Sequence, residues 1–113
     1  NMHGTATQAN DHMELAAVHN LFKEKIKKIH VSSTKSMIGH ALGAAGSLEL
    51  AATILGMKRN IILPTINHEE HLEGHEAIDV VANKAKTGKV DIAISNSFAF
   101  AGHMASIVIK NCA

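Results

Sequence analysis

The period of the apolar positions changes several times along the chain, and each change marks an element. Leu15, Val18, Leu21 and Phe22 recur at three- and four-residue spacing, the stripe of an amphipathic helix running to about residue 25. Asp11 and Glu14 read as a capping-box-like pair at its start, and the small polar residues 3–10 before them as a loop. Residues 29–33 form a short apolar run, a buried strand. A nearly continuous apolar stretch then predicts a helix over 40–58 that needs cover on both sides. Gly39, Gly43 and Gly46 lie at its start, where each glycine costs about 1 kcal/mol relative to alanine. Close approach of backbone to backbone is the compensating reason for them.

Beyond Pro64, residues 67–76 are a polar, histidine-rich loop. Residues 78–81 and 90–95 read as strands, the second the more deeply buried. A third, over 104–110, returns antiparallel to it through a turn at 99–102. Strands mixed with one long buried helix predict an α/β layered architecture.

Composition narrows this picture. The 113 residues suit one domain, and 46% apolar against 19% charged residues is a globular balance. Aromatic residues are 3%, so the core is expected to be Ala, Ile, Leu, Val and Met. A net charge of +1 gives no footprint for nucleic acid. The apolar stretch 41–57 carries Ser47, Glu49 and Thr53, which suits a buried helix and not a membrane span. Lys23, Lys25, Lys27 and Lys28 read as a solvated helix end. Cys112 is the single cysteine, so no internal disulfide is expected and a reducing, cytoplasmic setting is the default. The chain opens at Asn1 inside a Gly/Thr-rich loop, read here as the mark of a fragment or a processed chain, with a missing half expected to supply the absent cover.

Nine histidines are many for this length, and they divide by context. His3 lies among small residues in HGTAT, and His40 is read at the start of the long helix, with Lys35 five residues before it. An imidazole at a helix N-terminus is biased toward its neutral form. Two neutral imidazoles aimed at one point would make an oxyanion hole for developing enolate or carbonyl charge. From spacing alone, a single histidine is more often a satisfied structural residue. His68, Glu69, Glu70, His71 and His75 look metal-like but miss the spacing of a zinc-protease helix, and read as a solvated loop.

The segments HGTAT, SSTKSMIGHALGAAGSLE and NSFAFAG, in this order, resemble the C-terminal part of the elongating β-ketoacyl synthases of fatty acid and type II polyketide synthesis. The resemblance implies the C-terminal half of a thiolase-like fold, in helix–sheet–helix layers. It implies a decarboxylating Claisen condensation of an acyl thioester with malonyl-acyl carrier protein, an acyltransferase reaction in which phosphopantetheine carries the substrate. His3 and His40 would promote decarboxylation and hold the enolate oxygen, with Lys35 supporting the second histidine. Thr5 and Thr7 would contact the phosphopantetheine arm, and Phe100 would gate the acyl tunnel. Ala99 and Ala101 stand where the gate loop of the family has glycine, which implies a stiffer gate.

A structural cation (sodium, potassium or magnesium) is implied at Asn1, the Met2 carbonyl, Glu49, Ser95 and Asn96, although a hydrogen-bonded Glu49 without metal fits equally. The implied partners are acyl carrier protein, the N-terminal ketosynthase portion bearing the nucleophilic cysteine, and a second ketosynthase-like subunit in a homo- or heterodimer. The alternative is a non-catalytic chain-length-factor-like subunit; a free-standing helix–sheet binding domain is a third reading. Alone, the fragment is expected to be inactive and unstable.

Overall fold

A computed structural model describes residues 1–112. Helix α1 spans Gln8–Phe22 and passes into a 3₁₀ turn at Lys23–Lys28. Thr7 at its N-cap makes no side-chain bond to the helix backbone. The capping-box reading is therefore corrected: Asp11 bonds Asn10, while Glu14 is buried in the second turn. Glu14 shares a helix face with Val18 and Phe22, the face that packs on the core of Met2, Ile26, Val31 and Ile78.

Strand β1 is His30–Val31, helix α2 is Lys35–Ile38, and a 3₁₀ turn at Leu42–Ala44 leads into helix α3, Ala45–Lys58. The helix expected over 40–58 thus starts at Ala45. Gly39 at φ 74° ends α2 and Leu42 at φ 48° bends the chain again, both in the left-handed region that breaks a helix. Of the three glycines read as close-packing positions, only Gly46 meets a neighbour: a Cβ there would stand 3.1 Å from Ser97 Oγ. The close backbone approach is at Gly56, where a Cβ would stand 2.8 Å from the Ile61 carbonyl oxygen.

The remaining strands are β2 Ile61–Ile62, β3 Asp79–Val80, β4 Lys86–Thr87, β5 Ile92–Phe98 and β6 Met104–Lys110. The α/β class and the terminal hairpin are as expected, with β5 antiparallel to β6 from Ile92↔Lys110 to Phe98↔Met104. The described strands pair two by two: β1 parallel to β3, β2 antiparallel to β4, β5 with β6. β5 is mostly half-buried, with Ser95 its one buried residue, so it is not the deeply buried strand expected.

Residues Asn1 and Met2 join two of these ribbons. The Asn1 nitrogen donates to Ile94 O at 2.7 Å, Asn96 N donates to Asn1 O at 3.0 Å, and Met2 N donates to Ser32 O at 2.7 Å. The start of the chain therefore bridges the end of β1 and β5 by backbone hydrogen bonds. Beside it, an apolar groove of about 830 Å³ runs between α1, β1 and β5. α3 buries Ala45, Glu49, Gly56 and Met57, while Leu48 and Leu55 are about half exposed at 49% and 52%. Among the described residues no helix is long and apolar enough to cross a membrane.

Candidate active site

Three segments converge on His3. The extended start of the chain carries the residue, α2 brings Lys35 beneath it, and α3 brings Glu49 beneath Lys35. All three side chains are buried, Glu49 fully. The Lys35 Nζ donates to Glu49 Oε1 at 2.5 Å, to the His3 carbonyl at 2.6 Å and to His3 Nδ1 at 3.3 Å. An ammonium can only donate, so Nδ1 is the acceptor and the ring proton sits on Nε2. Burial, and after it the Lys35 charge, holds the His3 imidazolium below the usual histidine pKa. Lys35 was expected to support His40; its hydrogen bonds go to His3 and Glu49 instead.

His40 lies past the end of α2 and five residues before α3, so no helix N-terminus acts on it as expected. The Leu42 backbone N–H donates to His40 Nδ1 at 3.1 Å, which again places the ring proton on Nε2. The two imidazoles meet edge to face, with centroids 5.5 Å apart, and Phe98 packs 5.4 Å from His3. A pocket of about 340 Å³ opens over them, walled by His3, His40, Gly46, Phe98 and His103.

Glu14 holds the HGTAT turn, a role that the capping-box reading hid. Its carboxylate accepts the backbone N–H of His3 at 2.8 Å and of Gly4 at 2.9 Å, and Asn96 Nδ2 at 3.1 Å. Gly4 turns at φ 42°, and a Cβ there would lie 2.5 Å from Ser33 Cβ. Glycine is therefore required at this position. The available signal was that Glu14 shares the core-facing stripe of α1, where a carboxylate must find donors.

The residues named for a cation do not form a cage. Asn1, Glu49 and Ser95 gather, with Asn1 Nδ2 3.3 Å from both Glu49 Oε2 and Ser95 Oγ. The Asn96 side chain turns away to Glu14 and Ser106. The positive charge on Glu49 is Lys35. This donor set does not fit a hard cation, which needs several free oxygens.

Thr5 and Thr7 hydroxyls bond each other at 2.9 Å and do not wall the pocket. Phe100 is 93% exposed and also lies off its wall. In the loop 99–102, Ala99 is extended at φ −138° and has no need of glycine, whereas Ala101 sits at φ 58°. The cost of the missing glycines thus falls on Ala101 alone. In the histidine-rich loop, His68 pairs edge-on with His71 and His75 lies against His12 of α1. Among the described residues no three His, Cys, Asp or Glu side chains gather as metal ligands. Cys112 is exposed and hydrogen-bonds the Lys110 carbonyl, far in sequence from the histidine pair.

Comparison with known proteins places the chain in a family. The family model described as "Beta-ketoacyl synthase, C-terminal domain" matches residues 1–69. A 3-oxoacyl-[acyl-carrier-protein] synthase 2 of Vibrio harveyi is 46% identical over the whole chain, which corresponds to 27% of that protein. A solved type II polyketide acyl-carrier protein in complex with its ketosynthase, bound to the hexaketide, matches with TM-score 0.91 at 31% identity, covering 97% of this chain and 27% of that one. The ishigamide ketosynthase/chain length factor matches with TM-score 0.91 at 37% identity, covering 100% and 27%. The chain thus spans about a quarter of the length of these relatives.

Proposed function

Because this chain belongs to the C-terminal domain family of the β-ketoacyl synthases, we propose that it supplies the two-histidine half of a decarboxylating condensation site. The observation that carries the reading is the pair of occupied Nδ1 atoms. Lys35 fills one and the Leu42 N–H the other, leaving two Nε2–H donors at one pocket.

In this reading, a malonyl thioester carried by the phosphopantetheine of acyl carrier protein enters the pocket. Its bond to the carboxylate breaks, carbon dioxide leaves, and the electron pair forms an enolate. His3 and His40 donate hydrogen bonds to the enolate oxygen, each through its Nε2–H. The enolate carbon then attacks an acyl thioester, and the thiolate leaves as the new carbon–carbon bond forms. The cysteine that holds the acyl group belongs to the N-terminal ketosynthase portion, a second partner of this chain. Lys35 and Glu49 position His3, while Thr5 and Thr7 contact the phosphopantetheine arm at the edge of the site. Phe100 acts as gate from outside the pocket.

The test joins residues 1–113 to the upstream part of the Vibrio harveyi relative and assays condensation. Activity is expected, with His3→Ala and His40→Ala each lowering kcat by about 10²–10³, the usual effect of removing one oxyanion donor. A folded hybrid that condenses equally well without either imidazole would refute the role. A folded hybrid that never condenses would favour a non-catalytic partner subunit.

A further inference from the structure

The pocket over the histidine pair has a third imidazole. His103 walls it together with His3 and His40, arriving from the first residue after the Phe100–Gly102 turn. Its backbone is pinned there: Ala99 N donates to the His103 carbonyl at 2.8 Å, and the next residue, Met104, is in register with Phe98. Its ring differs from the other two. His3 and His40 each have Nδ1 occupied, whereas the His103 imidazole has no hydrogen-bond partner among the described residues.

The rest of the wall sharpens the contrast. No Lys, Arg, Asp or Glu side chain lines this pocket; apart from the three imidazoles its only polar side chain is Ser97. An anionic group entering the pocket would find no fixed cation, and its one unengaged ring is that of His103. His3 lies at the buried end, whereas His103 is on the exposed side.

We propose that His103 binds the free carboxylate of the malonyl donor while His3 and His40 take its thioester carbonyl. The proposal rests on the condensing function above and divides the substrate between the two ends of one pocket. It has a distinctive kinetic consequence. A hydrogen bond to the carboxylate stabilises charge that is present in the ground state and departs as the carbon–carbon bond breaks. It therefore helps binding and does not help the chemical step. His103 is a binding residue for one substrate, and its loss should raise KM without lowering kcat.

The experiment uses the joined full-length enzyme and compares His103→Ala and His103→Arg with the unsubstituted protein. The alanine variant is expected to raise KM for the malonyl thioester about tenfold, the scale of one charge-assisted hydrogen bond. Its kcat should be unchanged or higher, and KM for the acyl thioester unchanged. The arginine variant should recover a low malonyl KM. An equal effect on both thioesters, a fall in kcat at constant KM, or a failure of arginine to restore binding would overturn the assignment.

Binding of malonyl-pantetheine against acetyl-pantetheine separates this proposal from the function it rests on. A folded enzyme that prefers the malonyl ligand only with His103 present, yet never condenses, would retain the carboxylate site and lose the condensing function. A folded enzyme that condenses but shows no such preference would do the reverse.

Discussion

At the scale of single residues, the site depends on how one buried charge pair is neutralised. Lys35 and Glu49 are 8% and 0% exposed, and each answers the desolvation of the other. Replacing Lys35 by Met leaves an uncompensated carboxylate and should cost about 3–5 kcal/mol of stability. Pairing it with Glu49→Leu should recover most of that loss, as read by chemical unfolding of the joined enzyme; a double variant as unstable as the single one would argue against the pair. His3 adds a pH dependence whose sign follows from its lowered pKa. The unfolded chain takes up a proton near 6.5 while the native imidazole stays neutral. Stability is therefore full above that value and declines as pH falls through it. His3→Gln should flatten this slope, and an unaltered slope would place its origin elsewhere. These residues were legible as a set, because HGTAT and the Lys35–His40 spacing stand together in the sequence. Their wiring was not, since Lys35 lies in sequence nearer the histidine it does not touch.

At the scale of elements, the long periodic ones were readable and the short ones were not. The β5–β6 hairpin follows from two apolar runs about a compact turn, and β6 keeps the bounds expected for it. β2 and β4 are two residues each and carry no period for a reader to find. The start of α3 was misplaced for a different reason. Propensity favours helix through Ala41–Leu42, and only the left-handed Leu42 interrupts it. The loop 99–102 stores a similar strain. Ala101 at φ 58° is held in a region that costs a non-glycine residue about 1–2 kcal/mol. Ala101→Gly should raise stability by about 1 kcal/mol and broaden the range of acyl chains accepted, measured by steady-state rates across chain lengths. Ala99→Gly should do neither, because Ala99 is already extended. An acyl-chain profile indifferent to Ala101 would remove the loop from substrate selection.

At the scale of the whole molecule, the described chain exposes more apolar surface than a self-sufficient domain does. Leu21, Leu42, Met104, Val108 and Phe100 are each at least 66% exposed, and β6 is open along nearly its whole length. Residues 1–113 produced alone should bind a hydrophobic dye and aggregate on mild heating, whereas the joined enzyme should not. A monodisperse, cooperatively unfolding 1–113 would support an independent domain.

The bridging segment at Asn1–Met2 sets a rule of parity for everything downstream of it. Asn1 faces Glu49, Ser95 and Thr34, Met2 enters the core with Ile26, and His3 returns to the side of Lys35. Side chains alternate along extended backbone, so the imidazole occupies its side by being an even step from Asn1. One residue inserted before His3 would turn the ring toward the core of α1 and leave Lys35 facing the wrong atom. Two would bring it back. Variation in length at this junction is thus tolerable only in pairs, a constraint written in counting and not in chemistry.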